Sequence, residues 1–169
     1  MITDAYSHKI VGYQVAETLE AIESVQALQM AFSTLDVAEC HLPTLTHHSD
    51  WGVQYCSHDY VKLLKDNQVN ISMTENGDSL ENAIAERING IIKDEYLENY
   101  DISNINDAKA LLHDVVEFYY KERPYMSIGN LTLNLVHHSL KTIKTENYGR
   151  STIKRKLLLQ IKSRTKTTL

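Results

Sequence analysis

The chain has 169 residues, 43% hydrophobic and 23% charged, which suits one domain with a sizeable core and excludes a disordered segment. No apolar run approaches bilayer-spanning length and no basic-then-apolar leader opens the chain, so no membrane association and a cytoplasmic location are expected. The net charge of −5 is unevenly spread: nine of the 17 Lys and Arg fall in Ser139–Leu169 beside one acid, Glu146, leaving about +8 there and −13 on the rest.

Met1-Ile2-Thr3 reads as a short strand, Asp4–His8 as a hairpin turn, and Lys9–Ala16, rich in Val, Ile and Tyr, as a second strand. Thr18 is placed to N-cap a helix in which Leu19, Ile22, Val25, Leu28 and Phe32 recur at three- and four-residue steps, ending near Asp36. Pro43 precedes a strand, Leu45-Thr46-His47-His48-Ser49, that ends in Asp50. Ser57–Asn67 starts with a capping serine and reads as a short helix; Val69–Met73 is the next strand, and Thr74–Asp78, with Asn76-Gly77, a loop of turn formers. A long helix follows from Ser79 to about Leu97, with Ile84, Ala85, Ile88 and Ile91 on its apolar side. Asn82, Glu86, Asn89 and Lys93, at steps of four, three and four, share its polar side. The last helix spans Asp107–Lys121, with Leu111, Val115, Phe118 and Tyr119 apolar, before Arg123-Pro124. There is no internal repeat and no low-complexity segment.

Chemistry centres on Asp50 and Glu86, 35 residues apart: an acid at the end of a strand and an acid on a later helix. Two carboxylates that converge attract hard divalent cations, which take oxygen ligands. The polar stripe around Glu86 has two readings, a solvated helix face or a binding face. Cys40 and Cys56 make no disulfide framework. The doublets His47-His48 and His137-His138 read as structural partners or solvated imidazoles rather than a zinc site, because neighbours on a strand point to opposite faces. The basic stretch 139–169 suits either a polyanion partner or a solvated terminus.

Several of these residues carry a resemblance. His48-Ser49-Asp50-x-Gly52-x-Gln54-Tyr55, then Ser72-Met73, then Asn82-Ala83-x-x-Glu86 with Lys93 seven residues on, resembles insertion-sequence transposases of the IS-three group, whose catalytic core is similar to that of retroviral integrases. Ile2–Tyr13 and Tyr119-Tyr120-x-x-Arg123-Pro124-x-x-Ser127-Ile128-Gly129 are similar to flanking stretches of the same family, so the resemblance covers residues 1–138. It implies an α/β, RNase H-like fold, a mixed sheet flanked by helices, with an Asp-Asp-Glu triad that binds two Mg²⁺ ions (Mn²⁺ as a substitute). Asp50 matches the second acid and Glu86 the third. Lys93 matches a residue contacting transposon-end DNA, and Asn82 belongs to the same DNA-binding stretch. The implied reaction is Mg²⁺-dependent DNA cleavage and strand transfer, in transposition, integration and recombination. The implied partners are transposon-end and target DNA, and further copies of the chain in a homo-oligomer.

The chain also departs from the family pattern. The family's first acid precedes the stretch that opens this chain, Trp51 stands where Arg or Gln is usual, and Leu133 replaces a proline. Residues 1–138 are therefore expected to form a core truncated at its N-terminus, without its first strand, and 139–169 a basic C-terminal tail. Three functional outcomes follow: a transposase core inactive alone, an active nuclease using a substitute acid, or a non-catalytic DNA-binding or assembly remnant. In RNase H-like folds the first strand lies mid-sheet, so its absence predicts at most four strands, an unpaired edge beside the Asp50 strand, and marginal stability.

Overall fold

Met1-Ile2-Thr3 and the Val/Ile run beyond the first turn form a hairpin, β1 (Ile2–Asp4) and β2 (Ile10–Gly12), paired antiparallel with a register irregularity between Ile2 and Thr3. The reversal is fixed at Asp4, whose backbone N–H donates to the Lys9 carbonyl and whose carboxylate accepts the Ser7 hydroxyl, with His8 at a φ of 59°. The computed structural model describes residues 1–5, 7–34, 45–75, 82–125, 131–133 and 156–159. Cys40, Pro43, Asn76-Gly77, Ser79, Ser127–Gly129 and His137-His138 lie outside them.

Helix α1 (Ala21–Thr34) begins three residues after Thr18, and its buried stripe is only in part the one the periodicity suggested: Val25 and Leu28 are buried and Phe32 packs against them. Leu19 and Ile22 are 57% and 50% exposed, whereas Ser24, Val25, Ala27, Leu28 and Ala31 are buried. The reason is the close approach of β2. A Cβ on Gly12 would lie 2.1 Å from the Ala27 carbonyl oxygen, so only the small-residue side of α1 can sit there.

Strand β3 (Thr46–Ser49) leads through a 3-10 turn (Val53–Cys56) into α2 (His58–Asp66), where the Ser57 hydroxyl accepts the Tyr60 N–H as the expected cap. β4 (Asn70–Met73) returns parallel to β3, with Thr46 to Ser49 opposite Asn70 to Met73. The long helix of the sequence reading divides in two: α3 (Ala83–Gly90) and a π-helical stretch (Ile91–Leu97), closed by a Glu98 N–H to Lys93 carbonyl bond. Helix α4 (Ile105–Glu122) is N-capped by the Asn104 side chain, which accepts from the N–H groups of Asn106 and Asp107. It buries Leu112, Val115, Val116 and Tyr119, while Phe118, expected in the apolar stripe, is 53% exposed against the Tyr96 ring. Two short strands, β5 (Pro124–Tyr125) and β6 (Leu131–Thr132), pair beside it.

The main sheet corrects the expectation most. It has five strands in the order β2-β1-β7-β3-β4, and β7 is Lys156–Leu159, from the stretch read as a basic tail. β7 runs antiparallel to β1 and parallel to β3, so the edge of the Asp50 strand is paired and the sheet exceeds four strands. An open gap mid-sheet would leave backbone N–H and C=O groups of both neighbours without partners, at roughly 1–3 kcal/mol each when buried. A distant segment fills it instead.

Two clusters pack on this sheet. One joins Ile2, Val11, Val25, Leu28, Leu45, Tyr55, Tyr60 and Leu64; the other joins Ile10, Ile88, Ile92, Leu112, Val116 and Tyr119. Ile10 and Val11 are neighbours on one strand, so the clusters lie on opposite faces, α1 and α2 on one and α3 and α4 on the other. The result is the α/β architecture, helices flanking a mixed sheet, that the sequence suggested.

Candidate active site at the end of β3

The sequence Thr46-His47-His48-Ser49 makes an unusual strand, since its middle is imidazole rather than aliphatic. Each ring has one nitrogen within hydrogen-bond distance of a hydroxyl, on opposite faces, while His47 Nδ1 and His48 Nε2 are buried with no hydrogen-bond partner among the described residues. His47 is 1% exposed, its Nε2 lies 3.0 Å from the Tyr60 hydroxyl, and the rings stand edge to face at 5.5 Å. Burial, reinforced by neighbouring His48, pushes the His47 pKa down to about 3, so the ring is neutral at physiological pH. The same burial raises the Tyr60 hydroxyl well above its ordinary value. His48 Nδ1 lies 2.9 Å from the Ser72 hydroxyl of β4, directly across the strand pair. Among the described residues no group of three or more His, Cys, Asp or Glu is arranged to hold a metal ion.

Asp50 is the first residue beyond β3, half-buried, where the chain leaves the sheet. Its Oδ1 accepts the Gly52 N–H at 3.0 Å, which fixes the carboxylate's orientation. A Cβ on Gly52 would lie 3.0 Å from that oxygen and 2.7 Å from Gln54 Nε2, so a side chain there would displace the Asp50 carboxylate. The strand ends are tied together around it. The Thr74 N–H donates to the Ser49 carbonyl at 3.0 Å, and the Trp51 indole N–H donates to the Thr74 carbonyl at 2.6 Å. Trp51 is otherwise 62% exposed and its neighbour Val53 84% exposed. Sequence reasoning noted Trp51 only as a departure from pattern; its role as a clamp between the ends of β3 and β4 has no signature in sequence.

Glu86 lies in the first turn of α3, half-buried, so the expected placement of one acid at a strand end and one on a helix holds. Asn82 immediately precedes α3 and is 0% exposed, so it presents no surface to a macromolecule. Lys93 is exposed but sits in the π-helical stretch, where the wider i to i+5 winding departs from the 3.6-residue repeat that put it in line with Glu86. Beyond it, Glu95 receives a two-pronged ion pair from Arg123, whose charge that carboxylate holds on more firmly than usual. This ties the end of α4 to the π-helical stretch and gives the Arg123-Pro124 pair a structural purpose.

Two models of the integrase core domain match this chain, one over residues 1–79 and the other over 67–132. An uncharacterized 31 kDa protein of insertion element IS600 from Shigella sonnei is 31% identical over 132 residues, 78% of this chain and 47% of that protein. The transposase of insertion sequence element IS629, also from Shigella sonnei, is 31% identical over 130 residues, 76% of this chain and 42% of its own length. The chain thus spans just under half the length of these relatives. Among solved structures, the HTLV-2 integrase catalytic core domain in complex with magnesium superposes with a TM-score of 0.58 at 18% identity, over 81% of this chain and 82% of that one. The BIV integrase catalytic core gives 0.57 at 18%, over 79% and 80%. At such identities these two likenesses establish the fold alone, and the fold agrees with the RNase H-like expectation.

Proposed function

We propose, from the match to integrase core domain models over residues 1–79 and 67–132, that this chain is a DDE transposase core of the insertion-sequence type in which Asp50 and Glu86 are two metal-holding carboxylates acting on DNA. The observation that carries this reading is the setting of Asp50 directly after a strand whose side chains alternate between the faces. His47 faces Tyr60 of α2, so the alternation turns His48 to the opposite face, that of the helix bearing Glu86, and Asp50 follows two residues later where the chain leaves the strand.

The donor set fits a hard divalent cation in kind, since both candidates offer carboxylate oxygens and the histidines nearby are engaged elsewhere. Magnesium accompanies the HTLV-2 neighbour, and Mg²⁺, with Mn²⁺ as a substitute, is the ion we assign to Asp50 and Glu86. A bound ion of this type activates the attacking oxygen and stabilises the leaving oxygen of a phosphodiester. The chain's own residues prepare for that. The Gly52 N–H orients the Asp50 carboxylate, the Trp51–Thr74 clamp holds the loop bearing it, and buried Asn82 immediately precedes α3, four residues before Glu86. Exposed Lys93 supplies a cation for a backbone phosphate, in which role it fixes position rather than reads sequence. The DNA is that of transposon ends and targets, the acting form is a homo-oligomer, and the location is cytoplasmic.

Trp51 is the chain's single tryptophan and sits beside Asp50, so its fluorescence reports on the site. Titrating Mg²⁺ or Mn²⁺ should give a saturable change that disappears in Asp50→Asn and weakens in Glu86→Gln. Identical titrations for all three proteins would refute the assignment.

A further inference from the structure

Two of the pairings in the main sheet are local: β1 meets β2 across a tight turn, and β3 meets β4 through α2. β7 arrives from the far end of the chain and takes the centre. Its register is continuous on both sides, with Ile2, Thr3 and Asp4 opposite Leu159, Leu158 and Leu157, and Thr46 to Ser49 opposite Lys156 to Leu159. Without it the sheet would separate into β2-β1 and β3-β4, two ribbons of two strands each, fewer than independent stability requires. The position is thus a slot bounded by two strand edges, and backbone hydrogen bonds define what fits it.

The segment that fills it carries its own electrostatic guidance. Lys154, Arg155 and Lys156 lead into the strand and Lys162, Arg164 and Lys166 follow it, against a net −13 on residues 1–138. The stretch between Leu133 and Lys156 is 22 residues long, far more than a tight turn needs. Nothing in the pairing distinguishes a strand delivered by the same chain from an identical strand delivered by another.

We propose that the gap between β1 and β3 is a strand-accepting site whose partner is the segment around Lys156–Leu159 of a second copy of this chain, so that two molecules can join by exchanging β7. The exchanged and self-paired forms make the same strand pairings and differ only in which connection carries them. Tethering favours self-pairing in dilute solution, and mass action favours exchange as concentration rises. Exchange is slow, because the centre of the sheet must open.

Three measurements test this. In the wild-type chain, hydrogen exchange of the Lys156–Leu159 amides should match that of β3, at least about a hundredfold slower than an unstructured peptide; exchange at the unstructured rate would overturn the proposal. Isotopically heavy and light wild-type chains, mixed at high concentration and then diluted, should give mixed dimers by native mass spectrometry; their absence after prolonged incubation would overturn the exchange. Proline at 158 removes a backbone donor and cannot sit in a central strand. A labelled peptide of residues 150–165 should therefore bind the full-length Leu158→Pro chain saturably, and the same peptide carrying proline at 158 should not. Equal binding of both peptides would count against the slot. Should Leu158→Pro fail to fold, the two wild-type measurements decide.

Discussion

The two faces of the sheet are built differently. On the α1–α2 face, Gly12 lets β2 press against the Ala27 carbonyl, and Tyr55, Tyr60 and His47 form a dry aromatic stack with ring centroids 5.5 Å apart. On the α3–α4 face the core is aliphatic, and its rim is polar and open. Tyr13 meets His113 at an exposed contact, Arg123 meets Glu95, Phe118 lies half in solvent, Glu86 is half-buried and Lys93 is exposed. β3 belongs to both, with His47 committed to the first face and His48 to the second. One face supplies rigidity, the other leaves charged groups where a ligand can meet them. Damage to the first should appear as lost stability, and damage to the second as lost binding.

The sharpest test is Gly12→Ala. The added methyl would overlap a backbone carbonyl, which no rotamer relieves, so α1 must separate from β2 at a cost of about 3 kcal/mol. Chemical denaturation measures it, and a loss no larger than that of Arg123→Ala would break the distinction between the faces. Next is Tyr60→Phe, which takes from His47 Nε2 the one hydrogen bond described for it and leaves a buried polar atom unmet, costing roughly 1–3 kcal/mol by the same assay.

The same histidine makes stability depend on pH. Its pKa is near 6.5 unfolded and about 3 folded, so below 6.5 the unfolded chain binds a proton that the folded one does not. Its contribution is fully present above pH 6.5 and declines as pH falls towards 3, by roughly 1.4 kcal/mol per pH unit. Denaturation at pH 7 and pH 5 should differ by about 2 kcal/mol from this group. His8, lowered by its own partial burial, adds in the same direction. In His47→Gln most of the difference should vanish; an undiminished slope would place the titrating group elsewhere.

On the other face the effects on stability shrink. Arg123→Ala removes a partly exposed ion pair and should cost under about 1 kcal/mol. Gly52→Ala is the smallest in stability and the most telling in function. The new methyl meets only the far ends of the Asp50 and Gln54 side chains, which can swing aside, so unfolding should change little. Displacing the Asp50 carboxylate should nonetheless weaken the Mg²⁺-dependent fluorescence change of Trp51. An unaltered titration would show that the Gly52 N–H does not orient that acid.

Much of this was legible from residue order. The hairpin of Ile2–Gly12, the Ser57 cap, β4 and the strand-end position of Asp50 all rest on interactions within a few residues, which propensity and capping chemistry encode directly. The α1 stripe was legible only in part, because periodicity registers hydrophobicity, whereas the contact with β2 selects for smallness: Val25 and Leu28 are buried as expected, Ser24, Ala27 and Ala31 are buried beside them, and Leu19 and Ile22 are not. The π-helical winding of Ile91–Leu97 escaped notice for a similar reason, since the residues suit either winding and the hydrogen-bond register alone separates them.

The sequence by itself carried the resemblance to the family, through the motifs around Asp50, Glu86 and Lys93, and it determined the local elements that bear Asp50 and Glu86. Only the tertiary structure decided what occupies the centre of the sheet. Lys156–Leu159 reads as a short apolar interval in a basic stretch, and nothing local marks it as a strand. It becomes one because β1 and β3 offer two rows of backbone partners that must be met, and that demand exists only once the rest of the sheet has formed.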